Sequence, residues 1–407
     1  MAKSTHFTGQ PIFNQLLLLI PRSLIRRLAV HHQADRYCKK FKSYDHLVTM
    51  LFSIFHQCSS LRELITGMQA SSMRLKHVGL VNTPRRSTLA DANQRRPVVF
   101  FEELYHELYH FHYKRLPDSL KGKKLLDRLF IIDSTTISLF STVMAGAGSY
   151  GLNGKKKGGI KAHMLVQARQ NVPCFVRLTE AKQHDQNFLP LLHLPERSII
   201  VMDRAYRNYA QLRTWTGQKI TWITRANIKT HYKITDSKPP TSQQRKAGIR
   251  KDYIIELGNP LTKRLNPIQK ARLVIFYDRE NKTWYEFITN DFRLAPSTIA
   301  DLYKKRWQIE LLFKRIKQNF NIHDFLGDNE NAIRIQLWCT LIADLLIKIV
   351  KDKTAKKRKW SMANLAGLIR LHLGTYINLY NFLTNPEKAL LNYQPPNYNQ
   401  QLKLFIT

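Results

Sequence analysis

Two aspartates and one glutamate stand where carboxylates could share a cation. Asp133 closes the run Leu129-Phe-Ile-Ile and Asp203 closes Ile199-Ile-Val-Met, so each sits where a buried strand would meet its loop, the usual place for functional groups carried on a sheet. Carboxylates at the ends of adjacent strands repel and are costly to bury unless a cation lies between them, and a divalent metal is the simplest remedy. Glu310 lies in a third segment, where Tyr303, Arg306, Glu310 and Lys317 fall at offsets 0, 3, 7 and 14. At about 100° per residue these four share one helix face, and Ile299, Leu302, Ile309, Phe313 and Ile316 form the apolar face beside it that would dock on a sheet. Phosphoryl transfer needs this mixture: carboxylates hold metals, and Arg and Lys neutralise nonbridging phosphate oxygens. A plain surface helix with i,i+4 ion pairs, such as Arg306 with Glu310, has the same spacing. Spacing alone leaves both readings open.

The elements that must position these groups can be read from hydrophobic periodicity. From Pro11 to about Lys76 the pattern is helical, with a capping-box match at Ser60-Leu-Arg-Glu63. A further helix is expected over Ser87 to Arg95, whose Thr88, Asp91, Asn93 and Gln94 suit a DNA groove or an ordinary solvated face equally. Between Leu129 and Trp222 the runs Leu129 to Asp133, Ile160 to Gln167, Cys174 to Leu178, Ile199 to Asp203 and Ile220 to Thr224 read as five strands, with a helix over Tyr206 to Thr216 before the fifth. That is a mixed sheet flanked by helices. Residues 225–292 carry Pro239-Pro240 and two strand-like runs, Arg272 to Tyr277 and Thr283 to Thr289, the mark of a β-rich insertion. Helical periodicity returns at Ser297, expected as N-cap after Pro296, runs to about Phe320 and resumes over Asn331 to Lys351.

Charge narrows the class of partner. Of 407 residues, 65 are Lys or Arg against 29 Asp or Glu, a net charge of +36, and the excess is spread along the whole chain. A polyanion is the natural partner, and with 43% hydrophobic residues the chain can bury a core. Cys38, Cys58, Cys174 and Cys339 are far apart and suggest neither a zinc ribbon nor a disulfide framework, which fits a reducing cytoplasm. The apolar stretch Leu16 to Ile20 is too short for a signal peptide, and Ile335 to Val350, interrupted by Asp344 and Lys348, falls short of a membrane span and reads as a buried helix.

Taken together, these residues resemble the DDE transposases of bacterial insertion sequences, and specifically the insertion-sequence-four group with its Y-R-E-K signature. Tyr303, Arg306, Glu310 and Lys317 satisfy every spacing of Y-x(2)-R-x(3)-E-x(6)-K; the second-aspartate motif reads Asp203-Arg204-Ala205-Tyr206, and the first Asp133-Ser134-Thr135-Thr136. The segment with Asp35-Arg-Tyr-Cys-Lys39 and Asp45-His46-Leu47 is similar to a domain often found at the start of such enzymes. The resemblance covers about residues 125 to 350. It implies a ribonuclease-H-like core over 125–224 and 293–352, split by the β-rich insertion 225–292, with a helical N-terminal domain over 1–124 that binds DNA ends and a helical C-terminal region over 353–407. It implies further that Asp133, Asp203 and Glu310 are catalytic metal ligands for two Mg²⁺ ions, replaceable by Mn²⁺, and that Tyr303, Arg306 and Lys317, with Arg204 and Tyr206, grip phosphates. The expected function is cut-and-paste transposition: metal-dependent cleavage at terminal inverted repeats, through a DNA hairpin, and strand transfer into target DNA. Its expected setting is a homodimeric synaptic complex in the bacterial cytoplasm at the nucleoid, with no membrane and no small-molecule cofactor.

Other signals carry less. Gly146-Ala-Gly148-Ser-Tyr-Gly151 matches a dinucleotide fingerprint, but a strand-like run follows it rather than a helix; Lys155, Lys156 and Lys157 beside it read better as a loop reaching DNA phosphate. His163 suits a core position, and His184-Asp185 is explained equally by turn chemistry and by acid-base or metal chemistry. No base-holding aromatic can be chosen among Trp215, Trp222 and Trp284. Alternative functions are a catalytically silent DNA-binding protein derived from a transposase, a metal-dependent nuclease that does not rejoin, and a tyrosine recombinase using Tyr303 as nucleophile, against which the acidic context of Tyr303 argues.

Overall fold

A computed structural model describes residues 9–113, 116–138, 159–206, 208–227, 230–262, 266–320 and 324–391. Lys155, Lys156 and Lys157, with the glycine-rich stretch before them, lie outside these. The chain divides into two compact units, one formed by residues 114–314 and the other by the residues before 114 together with those from 315 onward.

In the first of these, five apolar runs become strands because neighbours cover both of their faces. β1 (Leu129–Ser138) pairs antiparallel with β2 (Gly159–Gln167), and β2 with β3 (Val172–Glu180). On its other side β1 runs parallel to β4 (Ile199–Met202), and β4 parallel to β5 (Thr221–Arg225). Every residue of β4 is buried, as a strand in the middle of a parallel pair requires. The order β3-β2-β1-β4-β5, three antiparallel strands followed by two parallel ones, is the ribonuclease-H-like arrangement. The helix Tyr209–Gly217, capped by Asn208 accepting from the Gln211 N–H, leads into β5.

Four more strands continue the same sheet: β6 (Tyr232–Ser237), β7 (Ile249–Leu257), β8 (Gln269–Asp278) and β9 (Thr283–Thr289), in the order β5-β9-β8-β7-β6, all antiparallel. The expected runs 272–277 and 283–289 are β8 and β9. β6 and β7 add to them. Arg272 of β8 forms a buried two-point ion pair with Asp252 of β7, 2.7 Å at each contact, and donates to the Leu294 carbonyl at 2.7 Å. It thereby ties the sheet to the segment that leads into the helix Pro296–Lys304.

That helix begins two residues earlier than expected. Pro296 takes the first helical position, where its missing N–H costs nothing, and Ala295, not Ser297, is the cap. The long helix expected to about Phe320 is two, Pro296–Lys304 and Trp307–Asn319. Between them the chain tightens into i→i+3 bonds: the Arg306 N–H donates to the Tyr303 carbonyl at 2.9 Å and the Ile309 N–H to the Arg306 carbonyl at 3.1 Å.

The other unit is helical, built around Glu330–Thr354, which is buried along most of its length. Val98–Tyr113 and Ser43–His56 pack on it, with Trp338 against Tyr105. The two charges inside its apolar stretch are paired, Asp344 with Arg315 at 2.6 Å and Lys348 with Asp352. Ser60 caps the helix Leu61–Ala70 by accepting from the Glu63 N–H, and the Glu63 carboxylate accepts in return from Ser59. In Arg86–Arg95, Thr88, Asp91 and Gln94 are exposed, but Asn93 is buried and accepts from His46 at 2.7 Å. No helix among the described residues is long and apolar enough to cross a membrane.

Candidate active site

The register of β1 and β4 brings the two aspartates together. Ile132 stands opposite Met202 in a parallel pair, so Asp133 and Asp203 occupy equivalent positions on adjacent strands; Asp203 follows the end of β4, but Asp133 lies within β1, which runs on to Ser138 against β2 instead of giving way to a loop as expected. Glu310, in the first turn of Trp307–Asn319, is reached through Arg306, whose guanidinium donates from Nη1 to Asp133 Oδ2 at 2.8 Å and from Nη2 to Glu310 Oε1. One cation thus touches two of the three carboxylates. Side-chain exposure is 17% for both Arg306 and Asp133 and 35% for Glu310, so the site opens to solvent on the glutamate side.

Burial pushes the Asp133 carboxyl up to about 6, against the Ser134 N–H, which donates to its Oδ1 at 2.8 Å, and Arg306; Asp203 and Glu310 push it further in the same direction. Burial works to lower the Arg306 guanidinium, but Tyr303, Asp133 and Glu310 outweigh it and leave the pKa raised. Asp133, feeling the charges of Asp203 and Glu310, offers with them oxygen donors of the kind a hard divalent cation takes. Asp133, Asp203 and Glu310 are the residues that would hold it.

The expected phosphate ligands divide. Arg204 is exposed beside Asp203. Tyr303 is only 6% exposed, its ring 4.7 Å from that of Phe287, and burial pushes its hydroxyl above the ordinary phenol range. Tyr206 is 1% exposed, and its hydroxyl faces inward, 3.4 Å from His163 Nδ1. Lys317, half-buried, lies seven residues beyond Glu310 on the same helix, and burial lowers its ammonium pKa. Trp215 and Trp222 are buried, whereas Trp284 is 58% exposed.

Asp185 also belongs to this neighbourhood. It accepts from Ser134 Oγ at 2.8 Å and lies 3.4 Å from Lys161 Nζ. Its pairing across β1 and β2 is not visible in spacing; the only sign was the dipeptide His184-Asp185 itself.

A mixed sheet that carries Asp133 and Asp203 on adjacent parallel strands, with Arg306 and Glu310 brought to Asp133 from a neighbouring helix, has the layout of a ribonuclease-H-like phosphoryl-transfer core. Sequence comparison gives the family: residues 124–346 match the transposase DDE domain, and residues 8–81 match a domain of unknown function, DUF4372. A putative transposase, y4zB, of Sinorhizobium fredii is 30% identical over 66% of this chain and 72% of its own length. The probable transposase for insertion sequence element IS5377 of Geobacillus stearothermophilus is 27% identical over 60% and 63%, and the putative transposase for IS4SA of Synechocystis 26% over 70% and 77%. Among solved structures, the piggyBac transposase in a synaptic complex with hairpin DNA aligns with 98% of this chain and 84% of its own at 9% identity, with a TM-score of 0.47. The chain belongs to the DDE transposase family. It is a DNA transposase of the insertion-sequence type, an enzyme of phosphodiester hydrolysis and transesterification that works with divalent metal.

Proposed function

We propose that this transposase belongs to the insertion-sequence-four group and moves its element by cut-and-paste, with Asp133, Asp203 and Glu310 as the ligands of two Mg²⁺ ions. The observation that carries this reading is the convergence of Asp133 and Glu310 on the Arg306 guanidinium, with Asp203 at the adjacent strand end. Metal bound there supplies an activated oxygen nucleophile and stabilisation of the leaving oxygen. The chain's own part is to orient and neutralise: Arg306 beside the carboxylates and the exposed Arg204 next to Asp203 would offset phosphate charge, and Lys317 adds a further cation on the helix of Glu310. Tyr303 supports Arg306 from a buried position.

The helical N-terminal domain binds the terminal inverted repeats, and a second copy of the chain completes a synaptic complex that joins both ends before strand transfer into target DNA. Its setting is the bacterial cytoplasm, at the nucleoid. The test is cleavage of a plasmid carrying the DNA that flanks this gene, with Mg²⁺ or Mn²⁺, by wild type, Asp203→Asn and Glu310→Gln. Wild type should cut at paired inverted repeats. Both variants should bind the ends yet leave them uncut. Wild type that binds without cutting in either metal would point to the silent DNA-binding alternative, and loss of binding together with cutting in Glu310→Gln would remove the metal-ligand assignment.

A further inference from the structure

Ser134 and Tyr206 each follow a carboxylate closely in sequence, Ser134 directly after Asp133 and Tyr206 three residues after Asp203. Successive residues of a strand point to opposite faces, so the Ser134 side chain leaves β1 on the face opposite to that of Asp133. There it meets His163, its cross-strand partner on β2. Asp185 closes the group. Its Oδ1 accepts from Ser134 Oγ at 2.8 Å and lies 3.5 Å from His163 Nδ1 and 3.4 Å from Lys161 Nζ.

The Tyr206 hydroxyl, buried, is 3.4 Å from the same His163 nitrogen and hydrogen-bonds with Ser134. His163 is fixed from behind by Thr179 Oγ1 at 3.0 Å from Nε2 and by the Phe188 ring stacked 5.0 Å away. Burial holds it neutral, its pKa pushed down to about 4. One carboxylate therefore binds groups from β1 and β2 and, through His163 and Ser134, the turn that carries Asp203.

We propose that Asp185 is a positioning residue of the cleavage site: by gripping Ser134 on β1 and Lys161 on β2 it sets the separation of Asp133 and Asp203 on which their joint hold on metal depends. The inference rests on the metal-ligand reading given above. An acid needed only for solubility would not lie 19% exposed between a hydroxyl on one strand and an ammonium on the next. Groups that orient metal ligands from behind typically change metal affinity or activity about 10- to 100-fold when removed.

The experiment is a Mn²⁺ titration of the full chain followed by electron paramagnetic resonance, for wild type, Asp185→Ala, Asp185→Asn, Ser134→Ala and the double variant Ser134→Ala/Asp185→Ala, with melting temperatures and plasmid cleavage measured alongside. Asp185→Ala and Ser134→Ala should each weaken Mn²⁺ binding about tenfold. The double variant should be no worse than the weaker single, because both remove one link. Asp185→Asn keeps an oxygen for the Ser134 hydroxyl and should stay within about threefold of wild type.

Wild-type Mn²⁺ affinity in Ser134→Ala or Asp185→Ala, or single effects that multiply in the double variant, overturns the proposal. Ser134→Ala removes only a hydroxyl and decides the matter if Asp185→Ala folds poorly. Wild type that binds Mn²⁺ but never cuts overturns the cleavage reading instead and leaves this result standing.

Discussion

Arg306 touches the same oxygens that a metal would need, and replacing it with glutamine separates its two effects. The guanidinium donates to Asp133 and to Glu310, and any divalent ion held by those carboxylates must share or displace it. A unit charge at about 4 Å is worth roughly 1 kcal/mol in water and about 4 at the effective dielectric of a protein surface. With Glu310 35% exposed, a value near the lower end applies, about 1.4 kcal/mol, which is tenfold in an equilibrium constant. Arg306→Gln should therefore bind Mn²⁺ about tenfold more tightly than wild type. Cleavage should move the other way and fall about 100- to 1,000-fold, the usual cost of removing one preorganised group that stabilises transition-state charge. The assay is a Mn²⁺ titration by electron paramagnetic resonance beside single-turnover cleavage, both at pH 8 so that Asp133, pushed up to about 6, is ionised. Weaker Mn²⁺ binding that tracks the loss of cleavage would refute the reasoning and make Arg306 a clamp that holds the carboxylates for metal.

Two further predictions use the same framework. Because the Asp133 carboxyl is raised from 3.8 to about 6, its contribution to stability is fully present below about pH 4 and is lost as pH rises through about 6. Metal uptake has the opposite sign: Mn²⁺ affinity should climb between pH 5 and 7 with proton release, and calorimetry in buffers of different ionisation heat would show flat affinity and no released proton if the shift is wrong. Asp252→Ala leaves Arg272 buried and half-paired and should cost about 3–5 kcal/mol, read as a fall in melting temperature; a loss under about 1 kcal/mol would mean that the Leu294 and Asp291 carbonyls suffice to hold Arg272.

The parts of the fold that were legible are those in which one physical rule dominates. β1, β2, β4 and β5 read directly because strands covered on both faces become near-continuous apolar runs, and Ile199-Ile-Val-Met is buried at every position. β6 has only the short alternation Tyr232-Lys-Ile234-Thr235, and all six of its residues are exposed, so no buried face marks it as a strand. β7 was hidden by Asp252, a charge at a core position whose partner Arg272 lies on the next strand, and by a register shift near its start. The break at Lys305-Arg306 contains neither Pro nor Gly; it follows from i→i+3 bonding that has no composition signal.

The site shows the same division between residue types and geometry. Carboxylates that close apolar runs, and an arginine four residues before a glutamate, can be recognised without coordinates because strand and helix periods are local properties; that β1 continues past Asp133 to Ser138 could not, since Ser134-Thr-Thr is polar. The use of those residues depends on contacts between distant segments. Arg306 reaches Asp133 across 173 residues and Ser134 reaches Asp185 across 51. From spacing, Arg306 with Glu310 could be a surface ion pair or half of a phosphate clamp; the bond to Asp133 ties it to the carboxylate cluster. His184-Asp185 is equally ambiguous in sequence; the contacts of Asp185 with Ser134 on β1 and Lys161 on β2 give it a place behind the carboxylates. In a chain of net charge +36, cationic side chains suited to DNA are plentiful, and the distinguishing feature is the arrangement that keeps three carboxylates together within that positive field. The Arg306 guanidinium touches Asp133 and Glu310 on one side, and Asp185 holds Ser134 on the other face of β1; on the proposed metal-ligand assignment, perturbing either should change metal affinity, in opposite directions, before it changes the fold.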